Sequence, residues 1–278
     1  MVFEIVEMFV EGKSKDASEC EDRIVVCDGF VCVVDGVTSK SGIGFGGNKQ
    51  GGVVAGEIVE AALCGLPEDS GVSVFIDAVN SGFARFYEAN GLAGHMANHP
   101  VYRPAASAAV FSAHRKEVLL IGDCQALVNG IVVTNPKLVD SVLADMRAFV
   151  IEALLAQGAT AGELLARDLG REAVLPYLRQ QSVFQNNHFG SVFSYAVLDG
   201  FPVDGRQVKV HAVDGGGCVV LAIDGYPALF GSLADSEEWL RRVLTDDPLC
   251  HRVHKSTKGL AEGNRSFDDR AYVKLQVS

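Results

Sequence analysis

Two apolar, β-branched runs near the start of the chain flank an Asp28-Gly29 pair. A two-residue Asp-Gly loop between such runs predicts a β-hairpin with a type I′ turn, in which both central residues have positive φ. Counting outward from that loop puts Asp22 opposite Asp35, with Cβ atoms roughly 4.5–5.5 Å apart. Two carboxylates this close repel each other unless a positive charge lies between them. The two apolar runs that flank Asp28-Gly29 are residues 24–27 and 30–34.

The remaining apolar pattern alternates between strand-like runs and stretches with helical spacing. Strands are predicted near the N-terminus and at residues 105–113, 118–121, 126–128, 131–133, 191–198, 207–213, 218–223 and 271–277. Helices are predicted at residues 51–64, 72–90, 172–181 and 236–244. A further helix is predicted from Asn135-Pro136 to Gly158, and a short helix is predicted to begin at a capping box formed by Thr160 and Glu163. This order predicts an α+β fold with helices covering a largely antiparallel core. We expect one domain, residues 1–278, with a helical segment of unassigned role at about 135–185.

Composition narrows the functional class. The 278 residues are 48% hydrophobic and 21% charged, and the net charge of −11 argues against nucleic acid and anionic membranes as partners. No run approaches the roughly 20 apolar residues of a membrane span, and the N-terminus lacks a basic signal-peptide region. Seven cysteines without a CxxC pair predict free thiols in a reducing compartment. We therefore expect a cytoplasmic protein.

Aspartates stand at the ends of several predicted strands. Asp35, Asp123 and Asp224 each follow an apolar run, and Asp268-Asp269 precedes the last strand. Each alone is typical of a turn or a cap. Together with Asp22, they predict oxygen ligands gathered at one end of a sheet sandwich, where Mg²⁺ or Mn²⁺ is favoured over zinc.

In this order the acidic residues resemble the metal-dependent serine/threonine phosphatases of the PP2C (PPM) type. The similarity runs from about residue 12 to residue 277. The segments similar to family blocks are CEDRIVVCDGFVCVVDG, LLIGDCQALVNG, VVLAIDG and FDDRAYVKLQV. The resemblance implies a four-layer α-β-β-α sandwich, with two antiparallel sheets between helices and a binuclear metal centre.

The resemblance also implies roles for individual residues. Asp35 would bridge two Mn²⁺ or Mg²⁺ ions, the Gly36 carbonyl would bind one of them, and Asp224 and Asp268 would hold the other. Asp35 and Asp224 would thereby serve catalysis, because the metals activate a water that attacks the phosphorus of phosphoserine or phosphothreonine. The other implied ligands are Glu21 and Asp22, directly or through water, and Asp123 at a third, weaker metal site.

The chain departs from the family at three positions. Ala17 stands where the family has a phosphate-binding arginine, Val37 where many members have a histidine, and Asp269 where the family has asparagine. Three basic residues are candidates for the missing phosphate contact, although each is also typical of a surface charge: Lys13, Lys15 and Arg23.

Several interpretations stay open at this stage. The chain is a phosphatase acting on phosphoproteins, a non-catalytic metal-binding regulatory domain (a pseudophosphatase), or a phosphomonoesterase of small phosphate esters. The glycine-rich residues 37–50 are typical of a mobile loop and can also present N–H groups to an anion. Pro100 argues against a helix carrying His95 and His99. The basic cluster of His251, Arg252, His254, Lys255 and Lys258 predicts a solvated loop, with contact to an anionic substrate as the alternative.

Overall fold

The computed structural model describes residues 3–278 and contains two five-stranded antiparallel sheets. The first sheet has the order β1-β10-β9-β6-β7, and the second has the order β2-β3-β4-β5-β8. The strands are β1 Phe3–Glu11, β2 Arg23–Cys27, β3 Phe30–Gly36, β4 Ala106–Ser112, β5 Glu117–Ile121, β6 Gln125–Val128, β7 Ile131–Thr134, β8 Lys209–Ala212, β9 Gly217–Ala222 and β10 Arg270–Val277. The predicted α+β class, with two antiparallel sheets flanked by helices, is confirmed.

Helices cover the outer faces of both sheets. α1 and α2 pack on the second sheet, α7 packs on the first, and α4 packs against α6 beside the sandwich. The helices are α1 Gly51–Cys64, α2 Val72–Ala89, α3 Ala93–Asn98, α4 Leu138–Ala156, α5 Ala161–Ala166, α6 Leu169–Gln180 and α7 Leu233–Asp246. None of the helices in residues 3–278 is both long enough and apolar enough to cross a membrane.

The central strands of the second sheet are nearly continuous apolar runs, because their side chains alternate between two faces and both faces are buried. Alternate residues of β3, such as Val31 and Val33, face the first sheet, and their neighbours Cys32 and Val34 face α1 and α2. Both faces are therefore buried, and every residue of β4 is buried as well. The two cores hold the sheets rigidly enough for loops at their ends to carry chemistry.

The first hairpin forms in the predicted register, but its turn differs. Arg23 lies opposite Val34, as the Asp28-Gly29 loop requires. Only Gly29 has positive φ, +78°, so the prediction of a type I′ turn is wrong here. The Gly29 carbonyl accepts a hydrogen bond from Ala113 N at 2.9 Å, which ties the turn to the end of β4. A type I′ turn does form at Asn129-Gly130, where φ is +50° and +84°.

Some predicted elements begin elsewhere or do not form. α4 begins at Leu138 rather than at Pro136, because the Asn135 amide donates to carbonyls of Gly122 and Gln207 at 3.0 Å instead of capping a helix. Residues 191–198 form isolated bridges and no strand. The capping box of the short helix α5 is confirmed.

The region around Pro100 is also more regular than predicted. α3 forms and ends just before His99, so the proline follows the helix rather than interrupting it. The rings of His95 and His99 lie on one face, with centroids 4.6 Å apart.

Cys27 and Cys64 form a disulfide, with Cα atoms 5.3 Å apart. The expectation that all thiols are free is therefore wrong for this pair. The bond joins the tip of the first hairpin to the end of α1, two segments 37 residues apart whose proximity exists only in the folded chain. The other five cysteines are free, and Cys32, Cys124 and Cys250 are buried.

Replacing Gly122 by alanine is expected to destabilise the fold more than the same change at Gly91. Both glycines have positive φ, +80° and +67°, so each substitution carries a backbone cost of about 1–2 kcal/mol. At Gly122 the new methyl would also overlap the Ser107 side chain, including its Cβ at 2.6 Å, whereas Gly91 has open space. We expect a further loss of about 1–3 kcal/mol in the free energy of unfolding. Urea denaturation measures both variants, and equal losses would contradict the packing argument.

Candidate functional site

Four aspartates from both sheets meet around one cleft of about 470 Å³. Asp35 lies at the end of β3, Asp123 just after β5, Asp224 just after β9, and Asp268 just before β10. Strands of the two packed sheets end side by side here, so residues distant in sequence become neighbours. The helical segment predicted at 135–185 forms part of the cleft wall, through residues of α4 and α6.

Three of these carboxylates form a compact group. Asp35, Asp123 and Asp224 each offer an oxygen atom, and the three atoms lie within 4.8 Å of one another. Desolvation and the charges of Asp123 and Asp268 raise the pKa of Asp35 to about 7. Desolvation and the charges of Asp35 and Asp123 likewise raise the pKa of Asp224. The group therefore favours any added positive charge.

Asp123 already has a cationic partner. Its carboxylate accepts a hydrogen bond from Ser107 Oγ at 2.6 Å and forms an ion pair with Lys137 Nζ at 2.8 Å. Although desolvation opposes it, the charge of Lys137 holds the pKa of Asp123 below its ordinary value. Lys137 also lies 4.0 Å from Asp140. One member of the group is thus fixed and ionised by the protein itself.

Asp268 is not part of the group of three, and its ion-pair partners are two lysines. It forms ion pairs with Lys258 and, at 3.7 Å, with Lys13. Desolvation is outweighed by these two lysines, so the pKa of Asp268 is lowered. Its charge still acts on Asp35 and Asp224. The sequence assigned Asp268 to a metal shared with Asp224, whereas the structure gives it two lysine partners.

The acidic pair before β2 is turned toward the backbone of other segments. The Glu21 carboxylate, 1% exposed, accepts a hydrogen bond from Gly52 N at 3.0 Å, at the start of α1. Asp22 Oδ1 accepts one from Gly36 N at 3.0 Å. Asp22 also belongs to a second compact group, whose ligand atoms again lie within 4.8 Å of one another: Cys20, Asp22 and Asp269.

The glycine that follows Asp35 is required by close packing. A methyl at Gly36 would overlap the backbone of Glu21 and approach the carbonyl carbon of Gly52 to 2.9 Å. This close approach keeps the end of β3 against both the acidic pair and the start of α1. Gly36 also lines the cleft.

Of the basic residues predicted to contact phosphate, Lys13 pairs with Asp268 and Asp269, two aspartates that line the cleft. Lys13 donates to Asp269 from its backbone N at 2.7 Å and from Nζ at 3.1 Å. Arg23 pairs with Glu60 at 2.8 Å beside α1, and Lys15 is exposed. None of these three is among the residues lining the cleft.

Six lysines and arginines line the cleft; from the sequence, contact with an anionic substrate was considered for Lys255 and Lys258, and no role was assigned to the other four. Lys40 lies in the loop after β3, Lys137 just before α4, Arg171 in the first turn of α6, and Lys258 in the loop before β10. The prediction of a solvated loop is wrong for Lys258, which contacts Asp268. The position of Lys40, five residues after Asp35, was the one local signal available for the other four.

The site suits a hard divalent cation. Asp35, Asp123 and Asp224 supply only carboxylate oxygens, the donor type that Mg²⁺ and Mn²⁺ prefer. Two of the three have a pKa raised by desolvation and by the charges of neighbouring carboxylates, and a bound cation would relieve this repulsion. The second group contains a thiol, Cys20, whose pKa is raised to about 11 by desolvation, so it is protonated at neutral pH.

Known proteins share this fold at low sequence identity. No protein-family model and no curated protein sequence matches the chain. PppA of Pseudomonas aeruginosa, described as a key regulatory component of T6SS, is 14% identical with a TM-score of 0.50, covering 100% of this chain and 99% of that one. Stp1, a serine/threonine phosphatase of Staphylococcus aureus, is 14% identical with a TM-score of 0.48, covering 100% and 96%. PstP, a serine/threonine phosphatase of Mycobacterium tuberculosis, is 15% identical with a TM-score of 0.47, covering 99% and 100%. The chain shares the fold of PppA over its whole length, and its two antiparallel sheets flanked by helices agree with the architecture that the resemblance implied.

Mn²⁺ binding is expected to weaken as the pH falls from about 8 to about 6, because a carboxylate must lose its proton to bind a metal. Asp35, with a pKa of about 7, takes up a proton over this range, whereas Asp123 stays ionised beside Lys137. Isothermal titration calorimetry at both pH values measures the effect, with Asp35→Asn as the control that removes this titration. Equal affinities at the two pH values would contradict the prediction.

The same raised pKa has a consequence for stability. In the metal-free protein, Asp35 takes up a proton as the pH falls through about 7, whereas the unfolded chain does so only near the ordinary aspartate value of 3.8. The folded state therefore gains stability between these values as pH falls, and bound Mn²⁺ reverses that trend.

Proposed function

We propose that the protein is a divalent-metal-dependent phosphatase that hydrolyses phosphoserine and phosphothreonine in proteins. The observation that carries the proposal is the group of three aspartate carboxylates within 4.8 Å, at a cleft that also contains unpaired cations. Such a cleft suits a metal ion and a phosphate together. The PP2C fold supports this reading.

In this proposal Asp35, Asp123 and Asp224 hold one Mn²⁺ or Mg²⁺ ion. A divalent ion bound there supplies Lewis acidity toward phosphate and lowers the pKa of water. A second ion remains part of the proposal, with Asp268 as a ligand, and it requires Lys258 to move from that carboxylate. The further ligands that we retain as proposed are the Gly36 carbonyl, Glu21 and Asp22.

The chain's own groups perform the remaining work. Lys137 and Ser107 hold Asp123 ionised and in one orientation. Asp35 would be ionised when it holds the metal, and its free carboxylate oxygen is suited to orient an attacking water by accepting a hydrogen bond. Cys124 does not act as a nucleophile, because it is fully buried and desolvation raises its pKa. In this proposal water attacks the phosphorus directly, and no phosphoenzyme forms.

A second candidate function is a metal-binding regulatory domain without catalysis. The observation that favours it is the pairing of Asp268 with Lys258 and Lys13, which places two ammonium groups at a carboxylate assigned to metal. Under this reading, lysines replace one ion of a two-metal centre.

An aryl phosphate is expected to be hydrolysed in the presence of Mn²⁺, with Asp35→Asn lowering the rate at least about 100-fold through lost charge stabilisation. Steady-state kinetics with Mn²⁺, and again with excess chelator, measure this. The control is Asp69→Asn, an exposed aspartate outside the cleft, which should retain wild-type rates. Turnover by wild type no higher than by Asp35→Asn would favour the regulatory domain.

Phosphopeptides carrying phosphoserine or phosphothreonine are expected to have higher kcat/KM values than small metabolic phosphate esters. The reason is that a peptide contacts the cleft walls beyond the phosphate and so contributes additional binding energy to the transition state. Phosphate release from the two panels, at equal Mn²⁺, measures the ratio. A consistent preference for one class of metabolite would instead identify a small-molecule phosphomonoesterase.

A further inference from the structure

The basic residues lining the cleft divide into neutralised and unneutralised groups. Six lysines and arginines line it: Lys40, Arg103, Lys137, Arg171, Lys255 and Lys258. Four have a carboxylate partner: Arg103 with Asp199 at 3.0 Å, Lys137 with Asp123 at 2.8 Å, Lys255 with Asp145 at 2.7 Å, and Lys258 with Asp268. Lys40 and Arg171 have no carboxylate oxygen of residues 3–278 within 4 Å of their charged nitrogens. These two carry charge that the protein does not balance by contact.

Lys40 is held in the cleft among other cations. Its carbonyl accepts a hydrogen bond from Arg179 Nε at 3.1 Å, which fixes its backbone against the end of α6. Desolvation lowers the pKa of its ammonium to about 8; the charge of Asp140 opposes this shift, and the charges of Lys137, Arg171 and Lys258 add to it. A lysine in such surroundings is stabilised by an incoming anion.

Arg171 faces the same space from the other end of α6. One guanidinium nitrogen donates to the Thr257 carbonyl at 2.8 Å, and this is its one side-chain hydrogen bond to residues 3–278. Its backbone N donates to Asp168, whose carboxylate is bound by the fully buried Arg147. The first turn of α6 is therefore fixed, while most guanidinium donors are left for a ligand.

We propose that Lys40 and Arg171 bind the phosphate group of the substrate, replacing the arginine that the resemblance would place at Ala17. The proposal rests on the proposed phosphatase function and names the residues that complete it. α6 positions both residues at the same cleft, with Arg171 in its first turn and Arg179 in its last turn binding the Lys40 carbonyl. Lysine and arginine are the side chains that suit phosphate oxygens, with arginine able to bind two at once.

The same arrangement indicates the charge of the ligand. Two unbalanced cations match a phosphate monoester dianion better than a diester, which carries a single negative charge. We therefore expect the pair to select monoesters, with inorganic phosphate as a competing ligand of the same chemistry.

The test compares Lys40→Met, Arg171→Lys and Arg171→Met with wild type and with Lys49→Met. Lys49 lies in the same loop as Lys40 but is exposed, pairs with Glu57 at 2.7 Å and does not line the cleft. For an aryl phosphate at saturating Mn²⁺, we expect Lys40→Met and Arg171→Met to raise KM, and the inhibition constant of inorganic phosphate, roughly 10- to 100-fold. Arg171→Lys should lie between wild type and Arg171→Met. Mn²⁺ affinity, measured by calorimetry, should stay within about twofold of wild type, since neither residue contacts the three aspartates.

A second readout separates this inference from the proposed function. Inorganic phosphate should raise the melting temperature of Mn²⁺-loaded wild type and Lys49→Met, and should do so far less for Lys40→Met and Arg171→Met. This measurement needs no turnover, so an inactive wild type that still binds phosphate would refute the phosphatase and leave the phosphate site standing. Wild-type KM, inhibition constant and phosphate-dependent stabilisation in Lys40→Met and Arg171→Met would overturn the inference. A parallel loss of Mn²⁺ affinity would also overturn it, because the residues would then support the metal site instead.

Discussion

Mutual repulsion among carboxylates at one end of the two sheets governs the organisation of this site. The protein neutralises two of these carboxylates with lysines and leaves two without an ion pair. Lys137 neutralises Asp123, and Lys258 with Lys13 neutralises Asp268, so these carboxylates stay ionised. Asp35 and Asp224 form no ion pair with residues 3–278, and desolvation together with the charges of neighbouring carboxylates raises their pKa values. An external cation is the simplest way to relieve this repulsion, which is why a metal-dependent chemistry fits this protein.

The opposite imbalance occurs on the cleft wall. There, cations outnumber their carboxylate partners, and the excess is carried by Lys40 and Arg171. An acidic floor beside a wall of excess positive charge is complementary to a metal ion and a phosphate at once. The helical segment α4–α6 provides part of this wall, and the buried Arg147 holds it to Asp168 and to the loop preceding β10. Its role is therefore structural and electrostatic.

Local rules account for most of the elements. Short apolar runs predicted β3, β4, β5, β9 and β10, and the capping box of α5 formed as its residues require. Local sequence patterns gave the wrong element where contacts with residues distant in sequence replaced the local ones. The Asn135 side chain is suited to cap a helix, but its amide instead donates hydrogen bonds to the carbonyls of Gly122 and Gln207. Residues 191–198 have strand-like composition but pair only through isolated bridges.

The sequence by itself determined the sheets, the order of the aspartates and hence the kind of ligand that this end of the sandwich favours, because strand periodicity and carboxylate chemistry are local properties. Tertiary structure alone decided which charges meet. Asp35, Asp123 and Asp224 come within 4.8 Å, Lys258 reaches Asp268, and Cys27 bonds to Cys64. It also decided that Lys40 and Arg171 form no ion pair with a carboxylate of residues 3–278. Ion pairing depends on distances across the fold between side chains far apart in sequence, and no periodicity along the chain encodes those distances.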